Sequence, residues 1–437
     1  MEFQTLKKSH LKRNIIIGVL VIGIVSAIIL NFTRAKYRTT QSIPLVNGTI
    51  NYELSDLNLI GVYIEDGNDY TKVDQIPDSG YTFNSEDSYC KIGDQKQNMT
   101  ITYDMNTKNL TIAPMTTKGT KCYLYFNEQK TLKDVILANI NVNSGTPNFA
   151  SVATTDEGVY KIQDDWGDSY YFRGSVNNNW VKFANFYWRI IRINGDGSIR
   201  MIYNGTSTAT TGTGTQIGTN TFSMNSNMYN NNAYVGYMYT VGQVHGLGIN
   251  SGIKAKLDSW YQTNIANNGY GTKVSTEAGF CGDREPSTNS STSNGAGGTG
   301  TTQTYYGGYI RLVNSTKSPI LKCKNNEDMY TVSGSSRGNK ALTNPVGLIT
   351  ADEVAMAGGV YGQNNQSYYL YTGQHYWTMS PYRAASDGWA IVFGVNSNGN
   401  LDHSSVRGGF GMRPVINLSA DITAKSGNGT SSTPYEI

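Results

Sequence analysis

The chain has 437 residues, of which 15% are charged and 38% hydrophobic, with 48 Gly, 31 Tyr, 12 Phe and 6 Trp. That aromatic content excludes an intrinsically disordered chain, and 10 Pro without a three-residue Gly period exclude collagen. The net charge of +3 is an average: residues 1–38 hold seven Lys and Arg against Glu2, a local +6, so the remainder is −3. The body therefore shows no clustered basic stretch in sequence, and no nucleic-acid partner is expected.

Residues 15–32 (IIIGVLVIGIVSAIILNF) carry no charge. Eighteen helical residues rise roughly 27 Å, about the hydrocarbon thickness of a bilayer. The run is long for a signal-peptide core, and no A-x-A-like cleavage site follows it. An uncleaved transmembrane signal anchor is expected, after a cytoplasmic N-terminus at 1–14 and before a polar linker at 33–48. A short N-terminus ahead of a long polar body predicts a single-pass protein of the cell membrane with its C-terminal part extracellular. Cys90, Cys122, Cys281 and Cys323 agree with export. They contain no C-x-x-C, so zinc and thioredoxin chemistry find no support. Local pairing, Cys90–Cys122 and Cys281–Cys323, is expected among three connectivities, with free buried thiols as the alternative.

Residues 49–128 read as a small β-sandwich-like domain, with short strands at 58–65, 81–84, 99–104, 110–113 and 122–126 separated by turn signals. A helix at 129–144 follows, with Thr131 and Asp134 at capping positions and Leu132, Val135, Ile136 and Ile140 at helical spacing; it is expected to bridge two folded units. Residues 145–422 read as one large domain with long loops. The stretches 204–221 and 285–304 are poor in charge and in large apolar groups, and are expected as surface loops; 423–437 is expected as a flexible tail. Within the large domain, 187–203 carries a hairpin signal around Asn194-Gly195-Asp196-Gly197. Ile253, Leu257, Trp260 and Tyr261 predict an amphipathic helix, and Thr350-Ala351-Asp352-Glu353 is a capping box. Trp389, Ile391, Phe393 and Val395 are expected on one face of a strand that turns at 396–400 and returns over 401–407. The overall expectation is an α+β fold behind a transmembrane helix.

The order Tyr376-Trp377-Thr378-Met379-Ser380-Pro381, the 389–407 hairpin, then Gly411-Met412-Arg413-Pro414-Val415-Ile416-Asn417-Leu418 gives a W-x-x-S-P … G-x-R-P-V-I-x-L pattern. It resembles the C-terminal domain of a family of bacterial surface proteins, similar in turn to the C-type-lectin-like fold of diversity-generating-retroelement variable proteins and of formylglycine-generating enzymes. Residues 185–203 and 347–353 fit the same resemblance, which spans about 150–422. It implies a C-type-lectin-like domain with an exposed ligand-binding face. The formylglycine-generating chemistry does not carry over, because no Cys follows Cys323. The variable-protein resemblance implies a diversified surface before the closing strand. Between 383 and 410 the residues that mutated AAC-type codons cannot encode are absent, except for Trp389.

The expected binding face comprises Tyr382, Arg383, Ser386, Asp387, Trp389, Asp402, His403, Ser404 and Arg407, a mixture of rigid anchors and adaptable polar groups. Its expected partner is a protein or glycan on another surface. A structural envelope or pilin-like subunit and a cell-wall enzyme with an unrecognised site are the competing functions. No G-x-S-x-G occurs, and no catalytic residue is assigned. His375, Trp188 and Trp377 read as core residues, and Arg413 as a buried, hydrogen-bonded structural residue. No cofactor is assigned; calcium is admitted only by the resemblance, and the oxygen-rich turns at 66–69 and 194–196 read as ordinary turns.

Overall fold

The computed structural model describes residues 58–437 except 106, 114–118, 224–231, 288–302, 315–316 and 386–388. The expected anchor at 15–32 and its flanks at 1–14 and 33–48 lie outside the described residues. Among those described, no helix is long and apolar enough to cross a membrane. The α+β expectation is corrected: the described residues are mostly β, with 39% strand and 14% helix. The reason is visible in the helices themselves. Leu132–Ala138, Gly252–Tyr261 and Ala351–Met356 have 7, 10 and 6 residues, enough for a local face but not for a layer. The chain divides into two compact units, residues 1–129 and 130–437.

In the first unit, period-2 alternation works as expected. Lys121–Glu128 buries Cys122, Leu124 and Phe126 on one face and leaves Tyr123 and Tyr125 half-buried on the other. This strand lies between Asn58–Asp66, which runs parallel to it, and Tyr81–Ile92, which runs antiparallel. Asp69–Val73 and Gln95–Gln97 complete a five-stranded sheet. The hairpin of Thr100–Asp104 and Asn109–Ala113 brings Ile101 and Ile112 into the same apolar cluster as Leu124 and Phe126. Cys90 and Cys122 are direct cross-strand partners and form a disulfide, with Cα atoms 4.0 Å apart.

The second unit is built on a larger sheet. Phe186–Ile193 and Ile199–Tyr203 form the expected hairpin, flanked by Asp168–Gly174 on one side and Val415–Leu418 on the other. Both faces of this hairpin are covered, so Trp188, Ile190, Met201 and Ile202 are buried together with Arg189, Arg192 and Arg200. A second sheet carries Tyr376–Ala385, Trp389–Val395 and Leu401–Ser405. Its strands bury both faces too: Ala390, Val392, Ile391 and Phe393 are all in the core, while Trp389 is 40% exposed at the strand's start. The expected shared face of Trp389 with Ile391 and Phe393 is thus broken at Trp389.

Three other expectations change. The helix Leu132–Ala138 has its capping box, but Leu132 and Ile136 are buried in the core of the larger unit and the Leu132 N–H donates to the Ile422 carbonyl. It belongs to that unit. In the tail, Tyr435–Glu436 pairs with Trp180–Phe183, and Tyr435 is 1% exposed. One large aromatic at the end of a polar stretch supplies the burial that the composition alone did not suggest. In the 204–221 stretch, Asn204 and Thr215 are buried and Thr219–Asn220 pairs with Phe410–Gly411.

Candidate functional site

The hairpin of Trp389–Val395 and Leu401–Ser405 sets Phe393 opposite His403 and Gly394 opposite Asp402. His403 therefore shares the face of Phe393, on which Tyr382 packs from the neighbouring strand with ring centroids 5.1 Å apart. Three more aromatic residues converge there from distant parts of the chain. Tyr305 enters beside Arg383 through the pairing of Thr304–Tyr305 with Tyr376–Ala385. Tyr309 ends the single helical turn Gly307–Tyr309. A Cβ at Gly308 would lie 3.3 Å from the Phe393 ring, tighter than ordinary contact, so glycine lets this segment approach the sheet. Tyr361 is placed by a bridge to Leu401.

The result is a shelf of rings. Tyr382, only 8% exposed, is its base. His403 stacks on Tyr382 at 4.2 Å, Tyr309 meets it edge-on at 5.2 Å, and Tyr305 and Tyr361 stand at 6.0 and 6.1 Å. Tyr305, Tyr309, Tyr361 and His403 are all half-buried. The Tyr361 hydroxyl lies 2.7 Å from His403 Nδ1, and Asp402 Oδ1 lies 3.3 Å from the same nitrogen. The Asn396 amide donates to Asp402 Oδ2 at 3.2 Å. The His403 side chain, then backbone N–H bonding, holds the Asp402 carboxyl below the usual range against the opposing effect of burial. Burial pushes the Tyr361 and Tyr382 hydroxyls up, so they stay protonated and act as neutral donors and acceptors.

The expected face is thus divided. Tyr382, Asp402 and His403 come together, and Arg383 borders them, its charge acting on the Tyr309 hydroxyl. Trp389 and Arg407 form a separate pair, with the guanidinium 5.6 Å from the ring centroid. Ser404 points to the other side, its hydroxyl 3.5 Å from His375 Nε2, while the His375 ring stacks on Phe410 at 3.6 Å. Ser386 and Asp387 lie outside the described residues. Tyr305, Tyr309 and Tyr361 were not in the sequence reading. The run Tyr305-Tyr306-Gly307-Gly308-Tyr309 was a signal, but nothing local ties it to a strand some 70 residues later.

Among the described residues neither histidine sits in the relay geometry of a nucleophile. At His403 both partners sit on one nitrogen, whereas a relay uses both. At His375 the contact to Ser404 is at the limit of hydrogen bonding, no carboxylate among the described residues hydrogen-bonds the ring, and burial depresses its basicity. Trp188 and Trp377 are fully buried, and Arg413 donates to the Tyr203 and Leu370 carbonyls and to Asn204 Oδ1, the structural role read from sequence. The W-x-x-S-P and R-P-V-I residues Trp377, Ser380, Arg413, Val415 and Ile416 are all core. They specify architecture and leave recognition to other positions.

A second polar cluster lies deep in this unit. Arg311 bridges Asp283 at 2.5 Å and Asp352 at 2.7 Å. Arg192 bridges Asp164 at 2.6 Å and Glu353 at 3.0 Å, and Arg200 reaches Glu353 at 2.5 Å. Between them is a cavity of about 30 Å³, room for roughly one water molecule. It is too small for a substrate, and its side chains serve one another. Nearby, Cys281 and Cys323 form the second expected disulfide. Among the described residues no group of three or more His, Cys, Asp or Glu is placed to hold a metal. In the 194–196 turn, Asp196 Oδ1 is occupied by the Ser198 N–H and hydroxyl.

His245 stands apart from the shelf. Its Nδ1 lies 3.1 Å from Asp328 and its Nε2 3.4 Å from Glu285. The hydrogen bond to Asp328 raises its pKa, with burial and the Arg284 charge opposing. A raised histidine stabilises its loop fully below the unfolded value, about 6.5, and loses that contribution as pH rises through the folded value. Amide exchange of residues 240–248, expressed as protection factors, should fall across that rise. A flat profile would show that the His245–Asp328 contact does not hold this loop.

Compared with known proteins, the chain matches no family model, no curated protein and no solved structure.

Proposed function

We propose that the protein is an exported ligand-binding protein, adhesin- or receptor-like, whose larger unit engages a glycan on another surface through the shelf of Tyr305, Tyr309, Tyr361 and His403. The observation that carries this reading is the shelf itself: half-exposed rings over a buried Tyr382, with an ionised carboxylate and an amide at the rim. A sugar ring offers an apolar C–H face and hydroxyls around its edge. Flat rings match the first, and Asp402 with Asn396 matches the second. The two disulfides support an oxidising, extracellular setting. The motif resemblance to bacterial surface proteins points the same way.

The test is an array carrying glycans and cell-surface proteins, probed with the full chain and with Tyr309→Ala. Selective retention on glycans, reduced at least tenfold by the substitution, is the expected result. Retention on proteins alone would replace the glycan with a protein ligand, and no retention that depends on Tyr309 would sink the site.

A further inference from the structure

The outer face of the first unit's sheet has an arrangement that nothing in its fold requires. Lys91 is the direct cross-strand partner of Lys121 on one side and of Lys96 on the other. Directly opposed residues share a face, with Cβ atoms about 5 Å apart, so three ammonium groups stand in one row across three strands. Like charges in this position destabilise a sheet. None of the three forms a salt bridge among the described residues. Asp94, in the turn between Ile92 and Gln95, does not pair with them either. Their contacts are with rings: Lys96 Nζ is 4.1 Å from the Tyr89 centroid and Lys91 Nζ 5.4 Å from that of Tyr123.

Beside this row the face is tiled with tyrosine. Tyr89 and Tyr123 stack at 5.0 Å, Tyr63 and Tyr125 at 4.9 Å, and Tyr70 meets Tyr125 edge-on at 4.8 Å. All five are half-buried. The carboxylates of this face, Glu65 and Asp87, hydrogen-bond at its far end, to the Glu128 N–H and to the Tyr70 hydroxyl and Asn84 amide. Among the described residues the face is therefore uncompensated and positive along one edge, and rich in phenol groups next to that edge.

We infer that this face is a second binding surface, and that it takes an acidic polysaccharide, with the Lys91–Lys96–Lys121 row on its anionic groups and the tyrosines beside its sugar rings. Charge complementarity names the anion. A sheet face rather than a pocket favours a polymer over a small molecule. Stacking between the tyrosines, with interplanar angles of 13° and 20°, occupies ring faces with one another. What remains are edges and hydroxyls, which suit a hydroxyl-rich chain. A single-stranded nucleic acid would need free ring faces for its bases.

The test uses the full chain on immobilised polygalacturonate, with uncharged dextran and single-stranded DNA as comparisons. Retention on polygalacturonate, none on dextran, and loss of retention with added salt are expected. The triple variant Lys91→Gln, Lys96→Gln, Lys121→Gln should weaken retention at least tenfold, while its thermal midpoint stays equal or rises because the like-charge row is relieved. Lys256→Gln, an exposed lysine of the other unit that belongs to neither surface, should leave it unchanged. Absence of wild-type retention, a triple variant that binds as well as wild type, or equal retention on DNA would overturn the assignment.

Discussion

Replacing Arg311 by methionine should destabilise the larger unit by ~3–5 kcal/mol, the usual result of removing one partner from a buried ion pair. Arg311 is the cation between Asp283 and Asp352, whose side chains are 6% and 5% exposed. Burial already raises the Asp283 carboxyl despite the guanidinium. Without it, the Asp283 carboxyl would be raised further, since the guanidinium is what opposes burial there. A raised carboxyl loses stability as pH climbs above the unfolded value, about 4, so the deficit of the variant should be largest near neutrality and shrink toward pH 4. Urea midpoints at pH 7 and pH 4.5 measure both parts. Adding Asp283→Asn and Asp352→Asn should recover much of the loss, because the penalty belongs to the orphaned charges. A deficit below about 1 kcal/mol at pH 7 would show that the cluster is wet enough to screen itself.

Removing the Cys281–Cys323 bridge is the second large effect. The bridge closes a separation of 42 residues, and the chain-entropy relation then gives about 4 kcal/mol. Cys281 stands opposite Met329 in a two-residue pairing that carries few hydrogen bonds of its own, and the Cys323 N–H donates to Asp165. This part of the fold relies on the bridge more than on a ladder. Cys281→Ser with Cys323→Ser should lower the urea midpoint, and proteolysis should begin between 281 and 323. The two bridges should also differ in access: Cys90 and Cys122 are fully buried, whereas Cys281 and Cys323 are half-buried. Mild reductant followed by alkylation should label Cys281 and Cys323 first. Labelling of Cys90 and Cys122 first would contradict this order.

Local rules read the protein well wherever one short stretch decides the outcome. The 187–203 hairpin, the capping boxes at Thr131 and Thr350, the helix around Leu257 and both disulfides all follow from nearby residues. The same rules fail where distant segments decide. Nothing within 187–203 announces that Arg192 and Arg200 are buried: a second layer covers them and their charges are met by Asp164 and Glu353, the latter about 160 residues from Arg192 in sequence. The shelf was half legible for the same reason. Asp402 and His403 lie in a hairpin that its turn announces, and Tyr382 lies on the strand just before it. Tyr305, Tyr309 and Tyr361 arrive through strand pairing and a glycine contact that no spacing encodes. The lysine row shows this most sharply. Lys91, Lys96 and Lys121 are scattered in sequence, which is why the body of the chain showed no basic cluster, yet one register sets them side by side.

Recognition is proposed to lie on the tyrosine shelf and not over the whole of the 382–407 region. Once an array yields a glycan, its affinity for two double variants decides the matter: Tyr305→Ala with Tyr309→Ala on the shelf, and Trp389→Ala with Arg407→Ala at the separate pair. Truncating hot-spot aromatics commonly removes 2 kcal/mol or more, a factor of about 30. The account predicts that loss for the shelf variant, with Trp389→Ala and Arg407→Ala within twofold of wild type. Loss only in the Trp389 and Arg407 variant would contradict it.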